Sequence, residues 1–194
     1  MIQAIIKHKY VQISIFREVG KIFLGSCLFT ILAKITVPIP FSPVPVTLQT
    51  LAIYYLGVGS SPTVAMGSVA LYLIEGCFLP VFCGSTYGVG VFLGPTAGYL
   101  LSFLPAISLI SYIRCRTNSN IKLFFTLNIA ASLILLCGAF WLECYLVYVS
   151  QGTASITRAI VLGVIPFIMG EISKMSLAIT MKHMFFSLKS RIFK

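Results

Sequence analysis

The sequence predicts an all-α integral membrane protein, a bundle of six transmembrane helices with both termini in the cytoplasm, and three observations predict it. Of 194 residues, 58% are apolar and only 9% are charged, where soluble domains carry about a quarter charged residues. A soluble domain of ~150 residues still exposes ~30% of its unfolded area, so this much apolar surface has no place in water. The apolar residues also fall into runs of helical length, and the basic residues gather on one side of those runs.

Residues 1–18 carry Lys7, Lys9 and Arg17 among scattered Ile and Val. They read as a basic, interfacial N-terminal segment leading into the first span, with no small-residue cleavage site to mark a secretory signal. A spanning helix takes ~20 mostly apolar residues. Residues 19–37, 95–113, 121–148 and 156–181 meet that requirement. Two shorter apolar segments, 48–58 and 62–78, are divided by Gly57, Gly59, Ser60 and Ser61. They are read as two short helices, which cross only if flanking residues join them or the bilayer thins. The whole chain, 1–194, is expected to be one membrane domain.

Six spans place both termini on one side, and the bias of Lys and Arg toward cytoplasmic segments tests that count. Lys7, Lys9, Arg17 and Lys21 precede the first span; Arg114, Arg116 and Lys122 follow the fourth; Lys182, Lys189, Arg191 and Lys194 follow the last. The opposite side has only Arg158, while Lys34 and Lys174 lie within spans. The net charge of +10 would suit nucleic acid. These residues flank apolar spans rather than forming a patch, which suits anionic lipid heads instead. The six cysteines show no metal or redox spacing and read as small apolar packing residues.

Two connectors are unusual. In residues 37–50, prolines 38, 40, 43 and 45 oppose both helix and strand ladders and favour a stiff, extended run. The run stays apolar through Ile39, Phe41, Val44 and Val46, as a lid would. Residues 79–94 hold Gly84, Gly88, Gly90 and Gly94, which admit positive φ and close backbone approach. Irregular backbone at membrane depth is tolerated only where protein or a cavity satisfies it. The two outer loops therefore either roof a pocket or serve packing alone.

A charge at bilayer depth costs at least ~2.5–3.5 kcal/mol and marks a candidate site. Glu171 and Lys174, three apart, share a helix face. Ser173 lies beside them, and Pro166 with Gly170 is expected to interrupt the helix just before. A carboxylate only accepts hydrogen bonds and an ammonium only donates. The pair either matches a neutral solute with N–H groups beside a carbonyl, such as a cyclic urea, or merely neutralises itself. Lys34 is expected to snorkel to the interface, the alternative being that it holds a carboxylate in the pocket. Glu75 and Glu143 read as interfacial. No Walker A motif, nucleophile–base motif or metal cluster is present, so neither an enzyme nor a resident metal is expected.

The runs Val37-Pro-Ile-Pro, Pro43-Val-Pro-Val-Thr-Leu-Gln-Thr, Leu79-Pro-Val-Phe and Leu93-Gly-Pro-Thr-Ala-Gly-Tyr-Leu, in that order and followed by the acidic–x–x–Lys pair, strongly resemble the BioY family. The resemblance covers residues 18 to 185. It implies a biotin-specific S component of an energy-coupling factor (ECF) transporter, with a six-helix fold capped by the loop between helices one and two. Its implied partners are biotin, a transmembrane coupling subunit, two ATPases that use ATP in place of any cofactor in this chain, and the cytoplasmic (inner) membrane. Some members are reported to work without a full complex. Glu171 and Lys174 are implied to contact biotin. Phe41, Gln49, Phe82, Gly84, Ser85, Thr86 and Tyr87 complete the expected ligand-binding set.

The chain departs from the family in three places. The family usually has Asp where this chain has Glu171, which moves the carboxylate by ~1.5 Å. Many members are richer in glycine where it has Cys83, Ser85, Thr86 and Tyr87. No arginine is evident for biotin's valerate carboxylate, leaving Lys174, Lys34, or Ser85 and Thr86 with loop amides. The nearest equivalents of the family's small-residue docking face on helix one are Ser26, Thr30 and Ala33. Two other classes stay open beside the resemblance: a proton-coupled carrier using Glu171, and a non-transporting assembly subunit.

Overall fold

A computed structural model describes the backbone of residues 2–117 and 119–192 and the side chains of 14–117 and 119–181. The side chains of Lys7, Lys9, Lys182, Lys189 and Arg191, and all of Lys194, lie outside the described residues. Each expected apolar segment forms a helix: α1 (Ile2–Lys34), α2 (Gln49–Gly59), α3 (Pro62–Glu75), α4 (Ala97–Arg116) and α5 (Asn120–Ser150). The last segment is split into α6 (Ile156–Gly163) and α7 (Ile165–Ile192). The N-terminal residues, expected to be a basic interfacial lead-in, are helical and continuous with the first span.

By length and composition two helices, α4 and α5, can cross a membrane among the described residues, or three if α6 and Ile165–Met181 form one bent span. The shortness of α2 has a physical reason. It is buried on nearly every side, by α1, α3, α4 and α7. A helix apolar all round is a core element, and one surrounded by protein need not match the lipid thickness. Around it α1 packs on α3, α3 on α4, and α4 on α5.

Local signals set the helix starts. Ser61 caps α3, with its hydroxyl accepting from the Val64 amide, and Pro62 occupies the first turn. Ser119 and Ser155 cap α5 and α6 in the same way. Both satisfy amides that a helix start leaves open.

The proline-rich connector is closed at its base by a two-residue antiparallel ladder, β1 (Thr36–Val37) and β2 (Val46–Thr47), pairing Thr36 with Thr47 and Val37 with Val46. This corrects the expectation that no ladder forms there. The four prolines lie between the paired residues, so no ladder amide is lost. In the second connector Gly84 (φ 62) and Gly88 (φ 95) adopt the left-handed region, as does Ser85 (φ 59).

The break in the last segment also differs from expectation. It falls at Val164 (φ −124, ψ −59), with a 41° bend, while Gly170 lies inside α7. Pro166 sits in the first turn of α7, where a missing N–H is best tolerated. Of the cysteines, Cys115, Cys137 and Cys144 are exposed and the other three only half-buried, so core packing does not describe them.

Candidate functional site

A cavity of about 320 Å³ opens between the two connectors and helices α2, α4, α5 and α7. The proline loop contributes Pro43, Val44 and Pro45; the second connector contributes Phe82, Cys83, Thr86 and Val91. Tyr99, Phe103 and Phe167 supply most of the aromatic wall. The volume lies at the small end of the ~300–1,000 Å³ range of ligand sites.

The polar part of the wall is a closed network. Glu171 and Lys174 are 4% and 6% exposed, too buried for water to screen them. Lys174 Nζ donates to Glu171 Oε1 at 2.8 Å and to Thr50 Oγ1 at 3.0 Å. Thr50 in turn donates to Glu171 Oε1 at 2.8 Å, and the Tyr54 hydroxyl donates to Glu171 Oε2. Thr50 and Tyr54 sit four apart on α2, hence on one face, turned to α7. A carboxylate offers about four acceptor sites and an ammonium three donors. Three of the former and two of the latter are used among the described residues. One acceptor site on Oε2 and one N–H on Lys174 are left, on two residues that both line the cavity.

Of the expected residues, Glu171, Lys174, Gln49, Phe82 and Thr86 line the cavity. Gln49 accepts from Thr47 at 2.9 Å and donates to the Tyr72 hydroxyl. Phe82 is held by an aromatic ladder: Phe29 stacks on Tyr72 (5.3 Å), Tyr72 meets Phe82 edge-on (5.3 Å), and Phe82 meets Phe92 (5.8 Å). The structure does not bring Phe41, Gly84, Ser85 or Tyr87 to the cavity. Phe41 and Tyr87 are each 62% exposed, because the chain turns outward at both loop tips. Thr50, Tyr54 and Tyr99 were not anticipated. The polar groups of Gln49, Thr50 and Tyr54 within one short apolar helix are the signal that could have found the first two.

Lys34, exposed at the end of α1, is held by the second connector. Its ammonium donates to the carbonyls of Pro80 and Phe82 (3.0 Å to the latter) and to Ser85 Oγ at 3.4 Å. The cation thus ties the end of α1 to the second connector beside Phe82. Lys34→Met is expected to leave both carbonyls without that donor. Hydrogen exchange at the Ser85 and Thr86 amides should then quicken by about tenfold, the scale of a lost charged hydrogen bond. Unchanged exchange would show that the tie is dispensable.

Glu143 and Glu75 are each held by partners within the chain. Glu143 takes a two-pronged bond from Arg158, at 2.6 and 3.1 Å, and accepts the Ser155 amide at 2.7 Å. Glu75 accepts from Ser26. Ser26 and Ala33 are fully buried within the chain, so they form no docking face. The outward side of α1 presents Phe16, Val19, Phe23, Leu24 and Ile31 instead.

Comparison with known proteins gives concordant likenesses. Residues 6–190 match the BioY family. "Biotin transporter BioY2" of Lactococcus lactis subsp. cremoris (strain MG1363) is 36% identical over 155 residues, covering 79% of this chain and 81% of that protein. "Probable biotin transporter BioY" of Pyrococcus horikoshii (strain ATCC 700860 / DSM 12428 / JCM 9974 / NBRC 100139 / OT-3) is 30% identical, over 84% and 92% of the two chains. A crystal structure of the S-component for biotin from an ECF-type ABC transporter superposes with a TM-score of 0.78 at 22% identity, over 90% of this chain and 93% of that one. At that identity the likeness speaks for the fold.

Proposed function

The chain belongs to the BioY family, and we propose that it captures biotin in the Glu171–Lys174 cavity, for uptake across the cytoplasmic membrane as the substrate-binding subunit of an ECF-type transporter. The observation that carries this reading is the pair of unused valences. Glu171 keeps one acceptor site and Lys174 one N–H, and both residues line the same mostly apolar cavity. A ureido group presents an N–H beside a carbonyl and meets both at once, without a net charge entering the bilayer. Biotin's apolar ring and chain pack against Phe82, Tyr99, Phe103 and Phe167. Its carboxylate lies toward the loop-built wall, where Thr86, Thr96 and the start of α4 border the cavity.

The chain acts as one membrane domain of six spans, α6 and α7 together making the sixth, with both termini inside and the two loops outside. The clustering of eleven of fourteen Lys and Arg residues supports that orientation. Binding and release need no covalent step. A coupling subunit and ATPases supply the ATP-driven movement.

The test is a calorimetric titration of the purified protein with biotin, alongside an analogue methylated on both ureido nitrogens. Wild-type protein is expected to bind biotin and to bind the analogue ~10- to 100-fold more weakly, since a hydrogen bond to a charged group contributes ~1.5–3 kcal/mol. Absence of biotin binding sinks the reading. Equal affinity for both compounds would place the ureido group elsewhere.

A further inference from the structure

The break between α6 and α7 frees two carbonyls, and each is taken up by a side chain from a distant part of the chain. Pro166 has no N–H, so the Leu162 carbonyl four residues earlier loses its helical donor. The Phe167 amide bonds to Val164 O at 3.0 Å rather than to Gly163 O, which frees the second carbonyl. Tyr99, on the cavity wall, donates its hydroxyl to Gly163 O at 2.7 Å. Ser42, at the tip of the proline loop and 120 residues away in sequence, donates its hydroxyl to Leu162 O at 2.9 Å. The same Ser42 oxygen accepts the Val44 amide at 3.3 Å, and the Ser42 amide bonds to Ile39 O at 3.2 Å.

We infer that Ser42 is a positioning residue that latches the proline loop onto the helix break made by Pro166. The prolines stiffen the loop, and β1–β2 holds its base. Among the described residues Ser42 is the loop tip's only side-chain hydrogen bond to α6 or α7. Lifting the loop removes the donor from Leu162 O, and a part-buried carbonyl left without a partner costs free energy. The broken helix that carries Glu171 and Lys174 therefore also holds the loop shut over them. Pro166 acts here less as a kink than as the residue that keeps a carbonyl available. The effect on biotin release rests on the proposed function; the latch itself does not.

The experiment is a double-mutant cycle on the full chain, using Ser42→Ala, Pro166→Ala, both together, and Ser42→Thr. Each variant is measured twice: by hydrogen exchange of amides 39–46 without biotin, and by the biotin dissociation rate. Ser42→Ala is expected to raise both about three- to tenfold, the range of one neutral hydrogen bond. Ser42→Thr, which keeps the hydroxyl, should stay near wild type. In Pro166→Ala the new residue-166 amide can serve Leu162 O, so adding Ser42→Ala should change either rate much less. A purely local role of Ser42 in its own turn predicts the same increment in both backgrounds, and that result would overturn the latch. Wild-type exchange in Ser42→Ala would overturn it equally. Faster exchange in a protein that binds no biotin would leave the latch standing and remove the proposed ligand.

Discussion

Glu171→Ala and Lys174→Met should each abolish tight biotin binding and each destabilise the protein more than Glu171→Gln and Lys174→Met combined. Removing Glu171 leaves an ammonium that is 6% exposed with no counter-charge, and strips the acceptors from Thr50 and Tyr54. Removing Lys174 leaves a buried carboxylate held only by hydroxyls. Breaking one side of a buried pair typically costs about 3–5 kcal/mol, whereas replacing both partners is often nearly neutral. Thermal unfolding in detergent should therefore rank the double variant above either single one, while biotin titration ranks all three as defective. A double variant that bound biotin like wild type would show that the pair only offsets its own charge. Glu171→Asp should give a milder defect. Its carboxylate is drawn back toward α7 by ~1.5 Å, one carbon–carbon bond, enough to lose the reach to Tyr54 or Thr50.

The second large effect is expected at Gly98, where α4 crosses α5. A Cβ built there stands 2.3 Å from Trp141 Cβ and 2.6 Å from the Cys137 carbonyl oxygen. The second atom is backbone, so no rotamer change relieves the clash and the helices must part. Small residues let membrane helices approach this closely, and overpacking of this kind costs about 1–3 kcal/mol. Parting the helices also strains the 2.9 Å bond from Trp141 Nε1 to Gly94 O, at a residue that borders the cavity. Gly98→Ala is thus expected to lower both the unfolding temperature and biotin affinity. Gly20→Ala, inside α1 with nothing within 4 Å, is the control: it should leave affinity unchanged and should not lower the unfolding temperature, Ala being the better helix former. If the two variants melt together, the close approach of α4 and α5 does not limit stability.

What was legible without coordinates was local. A run of apolar residues makes a helix wherever it can satisfy its backbone polar groups, so each apolar span is legible in the sequence, though not the helical lead-in of α1 or the split of the last span. The spacing of Glu171 and Lys174 put them on one face because helix geometry alone requires it. The break before them was foreseen in kind and misplaced by a few residues. Proline bars a hydrogen bond four residues back, but the packing of Gly163 against Ala139 and Tyr99 helps decide where the chain bends.

The rest depended on distant residues meeting. Phe41 and Tyr87 belong to the ligand set expected with the family resemblance, yet both loop tips turn them outward. Thr50 and Tyr54 reach Glu171 across more than a hundred residues of chain, and Ser42 reaches Leu162 across as many. The position of Lys34 leaves snorkelling or ligand binding open; its bonds to the second connector's carbonyls come from packing alone. Membrane residence, the apolar helical segments and the charged locus are written in the chain itself, because they follow from solvent preference and short-range geometry. Which polar groups satisfy that locus depends on long-range packing, since buried hydrogen bonds go to whatever donor packing delivers.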